Sequence, residues 1–199
     1  IKVANESIKA VEESGSVAAT IGIINGEIII GLNENEIELL ATSKNVEKVS
    51  LHNIAISLFH KHNAATTVAT TINIASKIGI KFFATGGIGG VHLGSENNND
   101  ISADLTELSR NRMFVISSGA KSILDLEKTY EKLETSGIPR VSYNSDYMPG
   151  FWYDETIYTV DQNFKNIDDI ASDLKLVEKT NHNSSVLIFN KVPKKNSIE

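Results

Sequence analysis

The amino-acid sequence predicts an α/β fold, a single domain with a mostly parallel sheet flanked by helices. Short apolar runs of strand length alternate with amphipathic segments of helical period, which is the pattern of a parallel sheet. The 199 residues lie within the size range of one domain and can bury a sizeable core. We find no internal repeat and no long linker, so we assign residues 1–191 to the domain and 192–199 to a polar tail.

The first part of the chain is predicted to contain a β-hairpin among helices. Asn25 and Gly26 form a dipeptide typical of a two-residue hairpin turn, and apolar runs flank it. Small residues and threonines dominate 64–78, which we interpret as a helix from about Thr67 that packs closely, in the core or against a ligand. The other predicted helices span 4–14, 33–42 and 54–60, and the predicted strands span 17–24, 27–31 and 48–50.

The second part is predicted to alternate strands with helices. The predicted strands span 79–84, 113–116, 139–143 and 185–189, and the predicted helices span 102–111, 123–136 and 167–177. Residues 95–99 are predicted to form a polar loop, and 147–163 an irregular, aromatic-rich segment. Strands joined by crossover helices lie parallel, so this part supplies the parallel sheet.

Composition and charge exclude several classes of function. The chain has 19 Lys and Arg against 25 Asp and Glu, a net charge of -6, which argues against a nucleic-acid partner. With no cysteine, the chain has no disulfide, thiolate metal site or cysteine nucleophile. No apolar run approaches the roughly 18 residues of a membrane span, and no signal-peptide pattern opens the chain. We therefore expect a cytoplasmic protein with no membrane partner.

Four glycines lie within five positions directly after a predicted strand. Thr85 precedes them, and residues 86–90 read Gly-Gly-Ile-Gly-Gly. Open α/β sheets bind ligands at this end of a strand, and glycine lets backbone amides approach a ligand closely. The run matches neither the Rossmann fingerprint nor the Walker loop. A turn enforced by close packing is the alternative interpretation.

Two carboxylates follow the glycines. If Asp100 and Asp104 share one helical turn, they face the same way. One carboxylate would then bind a divalent cation, while the other, with Ser102, would bind substrate hydroxyls. Mg²⁺ and Mn²⁺ keep several waters, so a single protein carboxylate can hold them. The alternative for Asp100 is a helix cap.

A lysine is the candidate nucleophile. Lys121 follows a Ser-Gly-Ala run after a predicted strand, where partial desolvation would make its amine nucleophilic towards a carbonyl carbon. Lys48 is a candidate cation for a phosphate. The alternative for both is a solvated surface lysine. His92 is a candidate for ligand binding or proton transfer, with a structural histidine as the alternative.

Together these residues resemble the pseudouridine-5′-phosphate glycosidase family. The resemblance is collinear over about residues 4–190, and several long blocks in one order make it specific. The matching blocks are 17–23, 48–50, 65–69, 83–92, 100–108, 118–125 and 133–139.

The resemblance implies reversible cleavage of the C–C glycosidic bond of pseudouridine 5′-phosphate to uracil and ribose 5-phosphate. It implies that Lys121 attacks C1′ and holds the opened ribose as a Schiff base, and that Asp100 binds Mn²⁺. It also implies a homotrimer with an α/β fold. The candidate substrate contacts are Lys48, Val68, Thr85, His92, Ser102, Ala103 and Asp104.

The chain departs from the family pattern at three points. The proton-donating glutamate, in a Glu-Ser-Thr context, would precede Ile1, and a C-terminal part would follow Glu199. Leu93 stands where an arginine is usual. Without the general acid, a loss of about 10²- to 10⁴-fold in rate is expected. Two hypotheses therefore compete: a glycosidase that is complete only in a longer chain, and a non-catalytic phosphosugar-binding or assembly module.

Overall fold

A computed structural model describes residues 1–153, 155–180 and 182–198. The chain divides into two compact units, Ile1–Thr71 and Ile72–Glu199. The predicted α/β class is confirmed. The proposed boundary between a domain and a tail after residue 191 stays a prediction. Among the described residues, no helix is long and apolar enough to cross a membrane.

The first unit contains a four-stranded mixed sheet and its helices. The elements of this unit are α1 (Lys2–Glu13), β1 (Ile21–Ile24), β2 (Glu27–Ile30), α2 (Glu34–Thr42), β3 (Val46–Val49), α3 (Ile54–Phe59) and β4 (Asn63–Thr66). The strand order in the sheet is β2-β1-β4-β3. Strands β3 and β4 are parallel, whereas β1 is antiparallel to both of its neighbours. Helix α4 (Val68–Lys77) begins in this unit and ends in the second.

The predicted hairpin is confirmed. Asn25 and Gly26 have φ angles of 49° and 77°, as a type I′ turn requires, and β1 pairs with β2 around them. A Cβ on Gly26 would lie 2.5 Å from the Leu58 carbonyl oxygen, which adds a packing reason for glycine. Strand β4 was not predicted, because Asn-Ala-Ala-Thr has little strand propensity of its own. Its pairing with β1 and β3 decides its conformation.

The second unit contains the predicted parallel sheet. The elements are β5 (Phe82–Ala84), α5 (Ser95–Asn98), α6 (Ala103–Arg110), β6 (Phe114–Ser117), α7 (Leu126–Thr135), β7 (Arg140–Tyr143), β8 (Gln162–Phe164), α8 (Ile167–Lys179), β9 (Val186–Phe189) and a 3₁₀ turn (Lys194–Asn196). The five strands are all parallel, in the order β5-β6-β9-β7-β8.

The core of this unit forms where α8 packs on the sheet. Ile170 and Leu174 of α8 are buried against Phe114, Val141 and Ile188. Burial of each side chain of this size stabilises the fold by about 1.5–3 kcal/mol. The packing of α8 therefore stabilises the sheet that carries the connecting loops.

Three sequence predictions are corrected in detail. Residues 95–98 form one helical turn, not a loop, and β8 lies within the segment predicted to be irregular. Helix α7 begins at Leu126, later than predicted, because the Asp125 side chain caps it by accepting a hydrogen bond from the Lys128 amide at 3.1 Å.

Candidate active site beyond strands β5 and β6

The segment of residues 85–92, the glycine segment, leaves β5 and runs beside the loop that follows β6. We call residues 118–125 the lysine loop. The Ser118 amide donates to the Gly86 carbonyl at 3.1 Å, and the Ile88 amide donates to the Gly119 carbonyl at 3.0 Å. The Lys121 amide donates to the Ile88 carbonyl at 3.1 Å. Three backbone hydrogen bonds therefore fix the start of the lysine loop to the glycine segment.

The other edge of the glycine segment pairs with residues 100–104, the carboxylate segment. The His92 amide donates to the Asp100 carbonyl at 3.0 Å, and the Ser102 amide donates to the Gly90 carbonyl at 2.9 Å. The glycine segment thus lies between the two stretches that carry the predicted carboxylates and the predicted nucleophile. These three stretches meet at one end of the sheet, where open α/β folds bind ligands.

Close packing accounts for three of the four glycines. A Cβ on Gly89 would lie 2.7 Å from Asp104 Oδ2 and would overlap Ser102 Oγ. A Cβ on Gly90 would overlap the Thr129 side chain, and one on Gly87 would lie 2.6 Å from a ring carbon of a neighbouring phenylalanine. Gly86 is the exposed member of the run. The packing alternative of the sequence analysis is therefore correct for the buried glycines.

Asp100 and Asp104 do not share a helical turn. Asp100 is exposed and precedes α6, whereas Asp104 lies in the first turn of α6 and is 5% exposed. The cap of α6 is Ser102, whose Oγ accepts from the Asp104 amide at 3.2 Å, so the cap interpretation of Asp100 is also wrong. Ala103 is the first residue of the helix.

The two carboxylates have different surroundings. Asp104 Oδ2 accepts a hydrogen bond from the buried Gly89 amide at 2.7 Å, which fixes the glycine segment. The Asp100 carboxylate lies 3.9 Å from Nδ1 of His92, and both side chains are open to solvent. No group of three or more His, Asp or Glu that would hold a metal occurs among the described residues. Asp100 therefore fits only a cation site that waters complete.

Lys121 is exposed, which corrects the expectation that small neighbours would desolvate it. Among the residues that the structure describes, no carboxylate lies within ion-pair distance of its ammonium group. Lys128 differs, because its ammonium pairs with Glu96 at 2.8 Å and with Asp125 at 3.0 Å. These ion pairs raise the pKa of Lys128, so it stays charged. Of the two lysines, Lys121 has the amine that is open to a ligand.

Three of the remaining predicted contacts are Thr85, Lys48 and Val68. Thr85 follows β5, and its amide donates to the Ile116 carbonyl at 2.9 Å. In the first unit, Lys48 is exposed near the carboxyl end of β3, and half-buried Val68 begins α4. Strand β3 and α4 are joined there, because the Val49 carbonyl accepts from Thr70 Oγ1 at 3.0 Å.

Sequence reasoning missed the residues that support the site from α7. Thr129 is fully buried, and its Oγ1 accepts from the Val91 amide at 2.9 Å while donating to the Asp125 carbonyl at 2.7 Å. Tyr130 is 2% exposed and donates to the Pro149 carbonyl at 2.7 Å. Burial raises the pKa of the Tyr130 hydroxyl. Both residues lie in a segment with the pattern of an amphipathic helix, and nothing in that pattern indicates the polar contacts that their side chains make.

An apolar groove in the second unit lies away from these residues. It has a volume of 590 Å³ and lies where α8 meets the sheet, between Phe82 and Ile167. None of the predicted site residues lines it. The site is therefore located by the pairing of three segments, and not by cavity volume.

Comparison with known proteins shows the family of the chain. The family model described as indigoidine synthase A like protein matches residues 1–199. The chain belongs to this family. A pseudouridine-5′-phosphate glycosidase from Geobacillus kaustophilus is 44% identical over 199 residues, which is 100% of this chain and 66% of the relative. One from Staphylococcus aureus is 42% identical and covers 97% of this chain and 63% of the relative. The resemblance found in the sequence is confirmed.

Two solved structures share the fold. The prealnumycin C-glycosynthase AlnA, in complex with ribulose 5-phosphate, has a TM-score of 0.89 and 38% identity, covering 96% of this chain and 63% of that one. An indigoidine synthase A-like protein from Thermotoga maritima has a TM-score of 0.89 and 35% identity, covering 96% and 64%. The family member described here therefore spans slightly under two thirds of the length of these relatives.

Proposed function

We propose that the chain belongs to an enzyme that reversibly cleaves pseudouridine 5′-phosphate to uracil and ribose 5-phosphate, with Lys121 as the covalent nucleophile. The observation that carries the proposal is the pairing of the glycine segment with the lysine loop on one edge and the carboxylate segment on the other. The names of the relatives support the substrate, and the sugar phosphate bound by the C-glycosynthase supports its class.

A lysine suits this reaction because a C–C glycosidic bond has no heteroatom leaving group. In the proposed sequence, the Lys121 amine forms a bond to C1′, and the C1′–O4′ bond breaks as O4′ takes a proton. The nitrogen lone pair then forms a C=N bond while the C1′–C5 pair leaves with uracil, whose C5 takes a proton. Water hydrolyses the imine, which releases ribose 5-phosphate and regenerates the amine.

The carboxylate segment would hold the ribose and a cation. We propose that Asp100 is the protein ligand of Mn²⁺, with waters in the remaining positions, where the cation would supply positive charge near the substrate oxygens. Ser102, Ala103 and Asp104 would contact the sugar phosphate, as would Thr85 and His92. The buried Asp104 carboxylate also holds the Gly89 amide, so it positions the glycine segment as well.

Lys48 and Val68, which lie in the first unit, are also proposed substrate contacts, with Lys48 as the cation for a phosphate. Lys48 is exposed, as an ammonium group that contacts a phosphate must be. We assign the general acid to no residue of this chain. A homotrimer remains part of the proposal, and sedimentation velocity would test it.

A non-catalytic phosphosugar-binding module is the second candidate. The exposure of Lys121 favours it, because an amine in water lacks the desolvation that commonly activates catalytic lysines. In that case ribose 5-phosphate would bind, as measured by calorimetry, and no pseudouridine 5′-phosphate would be consumed.

The test is product formation from pseudouridine 5′-phosphate and Mn²⁺. We expect uracil and ribose 5-phosphate in equal amounts from the wild type, and none from Lys121→Arg, which keeps the charge but cannot form an imine. Lys132→Ala, which removes an exposed lysine of α7, is the matched control and should retain activity. Equal activity in Lys121→Arg would overturn the role of Lys121, and an inactive wild type that binds ribose 5-phosphate would favour the binding module.

A further inference from the structure

The loop that follows β7 contacts the lysine loop through its backbone. The Phe151 amide donates to the Ser118 carbonyl at 2.8 Å, and Gly150 pairs with Gly119 in an antiparallel bridge. The Pro149 carbonyl accepts the hydroxyl of Tyr130. Residues 149–151 therefore hold the lysine loop through its backbone.

The side chain of Phe151 reaches the glycine segment as well. A Cβ on Gly87 would lie 2.6 Å from Cδ2 of the Phe151 ring, and one on Gly86 would lie 3.6 Å from Cε2. The ring thus lies directly against the two glycines that follow β5. The half-buried Phe151 therefore contacts both the glycine segment and the lysine loop. Its contact with the lysine loop is at Ser118, three positions before Lys121.

The backbone of Phe151 adopts a conformation that its residue type disfavours. Its φ angle is 67°, in the left-handed region, which costs a residue with a Cβ roughly 1–2 kcal/mol. Such conformations persist where surrounding contacts over-determine them, and they cluster at functional sites. Here those contacts are the hydrogen bond from the Phe151 amide to the Ser118 carbonyl and the ring contact with Gly86 and Gly87. Glycine would relieve the strain but would lose the ring.

We infer that Phe151 is a positioning residue for the covalent step, which fixes the lysine loop against the glycine segment so that the Lys121 amine meets C1′ of the sugar. This inference rests on the proposed function. We expect the ring to act on the rate of attack and not on affinity, because the two residues that it contacts, Gly86 and Gly87, are not among the proposed substrate contacts. A displacement of about 1 Å in such a reaction can cost about 10²-fold in rate.

The experiment follows imine formation by reductive trapping. The chain is incubated with increasing ribose 5-phosphate in the presence of cyanoborohydride, and the adduct is measured by intact mass over time. This gives a maximal rate constant and a half-saturating concentration for each variant. The variants are Phe151→Ala, Phe151→Leu and Phe151→Tyr, and thermal unfolding shows which are folded at the assay temperature.

For Phe151→Ala we expect a maximal rate about 10- to 100-fold below wild type. The half-saturating concentration should stay within about threefold of the wild-type value, because the contacts that bind ribose 5-phosphate before the reaction are unchanged. Phe151→Tyr keeps the ring and should react at nearly the wild-type rate. If Phe151→Ala does not fold, Phe151→Leu, which keeps the apolar bulk, should show the same loss of rate.

The matched control is Phe164→Ala. Phe164 of β8 is also partly buried, and it packs on the core under α8, away from the glycine segment. The Phe164→Ala substitution should lower the thermal stability while leaving the trapping rate unchanged. A wild-type rate in folded Phe151→Ala, or an equal loss in Phe164→Ala, would overturn the positioning role. No adduct with the folded wild type would instead overturn the proposed function, and this inference with it.

Discussion

The two edges of the glycine segment are built differently. On the carboxylate edge, side chains enter the pairing: Asp104 is buried against the Gly89 amide, and Ser102 lies where a Cβ on Gly89 would be. On the lysine edge, backbone hydrogen bonds make the pairing, and the Lys121 side chain remains in solvent.

Because of this difference, substitutions on the two edges should affect different properties, stability on one and the chemical step on the other. Substitutions of Gly89 or Asp104 change packed or hydrogen-bonded groups, so they should lower the free energy of unfolding. The Lys121 side chain can be changed without disturbing the pairing of its own loop. The comparison therefore predicts large stability effects at Gly89 and Asp104, and a purely chemical effect at Lys121.

The largest stability effect is expected for Gly89→Ala. The added Cβ would lie 2.7 Å from Asp104 Oδ2, so the carboxylate or the helix that carries it must shift. Overpacking of this kind costs about 1–3 kcal/mol. Urea unfolding measures it, and Gly86→Ala is the matched control because its Cβ would lie at an ordinary 3.6 Å from the nearest ring. Equal stability of the two variants would contradict the packing account.

A similar or slightly smaller loss is expected for Asp104→Ala. This change leaves the buried Gly89 amide without its acceptor, which costs about 1–3 kcal/mol. Asp100→Ala is the comparison, since exposed surface substitutions usually stay within about 0.5 kcal/mol. If Asp100→Ala destabilised the chain as much as Asp104→Ala, the distinction between the two carboxylates would fail.

The smallest effect concerns Tyr130. Tyr130→Phe removes the hydrogen bond to Pro149, which typically contributes about 0.5–1.5 kcal/mol. Burial raises the pKa of Tyr130 above its unfolded value. The contribution of Tyr130 to the free energy of unfolding is therefore complete below about pH 10 and is lost as the pH rises further. Unfolding between pH 7 and 11 should therefore show a weaker alkaline loss of stability in Tyr130→Phe. The same pH dependence in both proteins would contradict this.

The sequence was informative where a pattern is local. The Asn25-Gly26 turn needs a backbone that few other residues adopt, and the alternation of strands and helices gave the parallel sheet of the second unit. The glycine segment and the lysine loop each follow a predicted strand, whereas the pairing of the carboxylate segment with them is visible only in the fold.

Long-range contacts decided what the sequence could not show. Strand β4 forms because β1 and β3 pair with it, although its own residues do not favour a strand. Asp100 and Asp104 are four positions apart, as on a helix, yet Ser102 starts the helix between them. Phe151 was one of several aromatic residues in an irregular segment, and only the fold shows that its ring contacts the glycines.

The most direct test of Lys121 is to locate the trapped sugar. The chain is incubated with ribose 5-phosphate and Mn²⁺, reduced with borohydride and digested, and the modified peptide is sequenced by mass spectrometry. We expect one adduct, on Lys121, that is absent from Lys121→Arg and retained in Lys132→Ala. An adduct of equal yield in Lys121→Arg, or one spread over the exposed lysines, would contradict it.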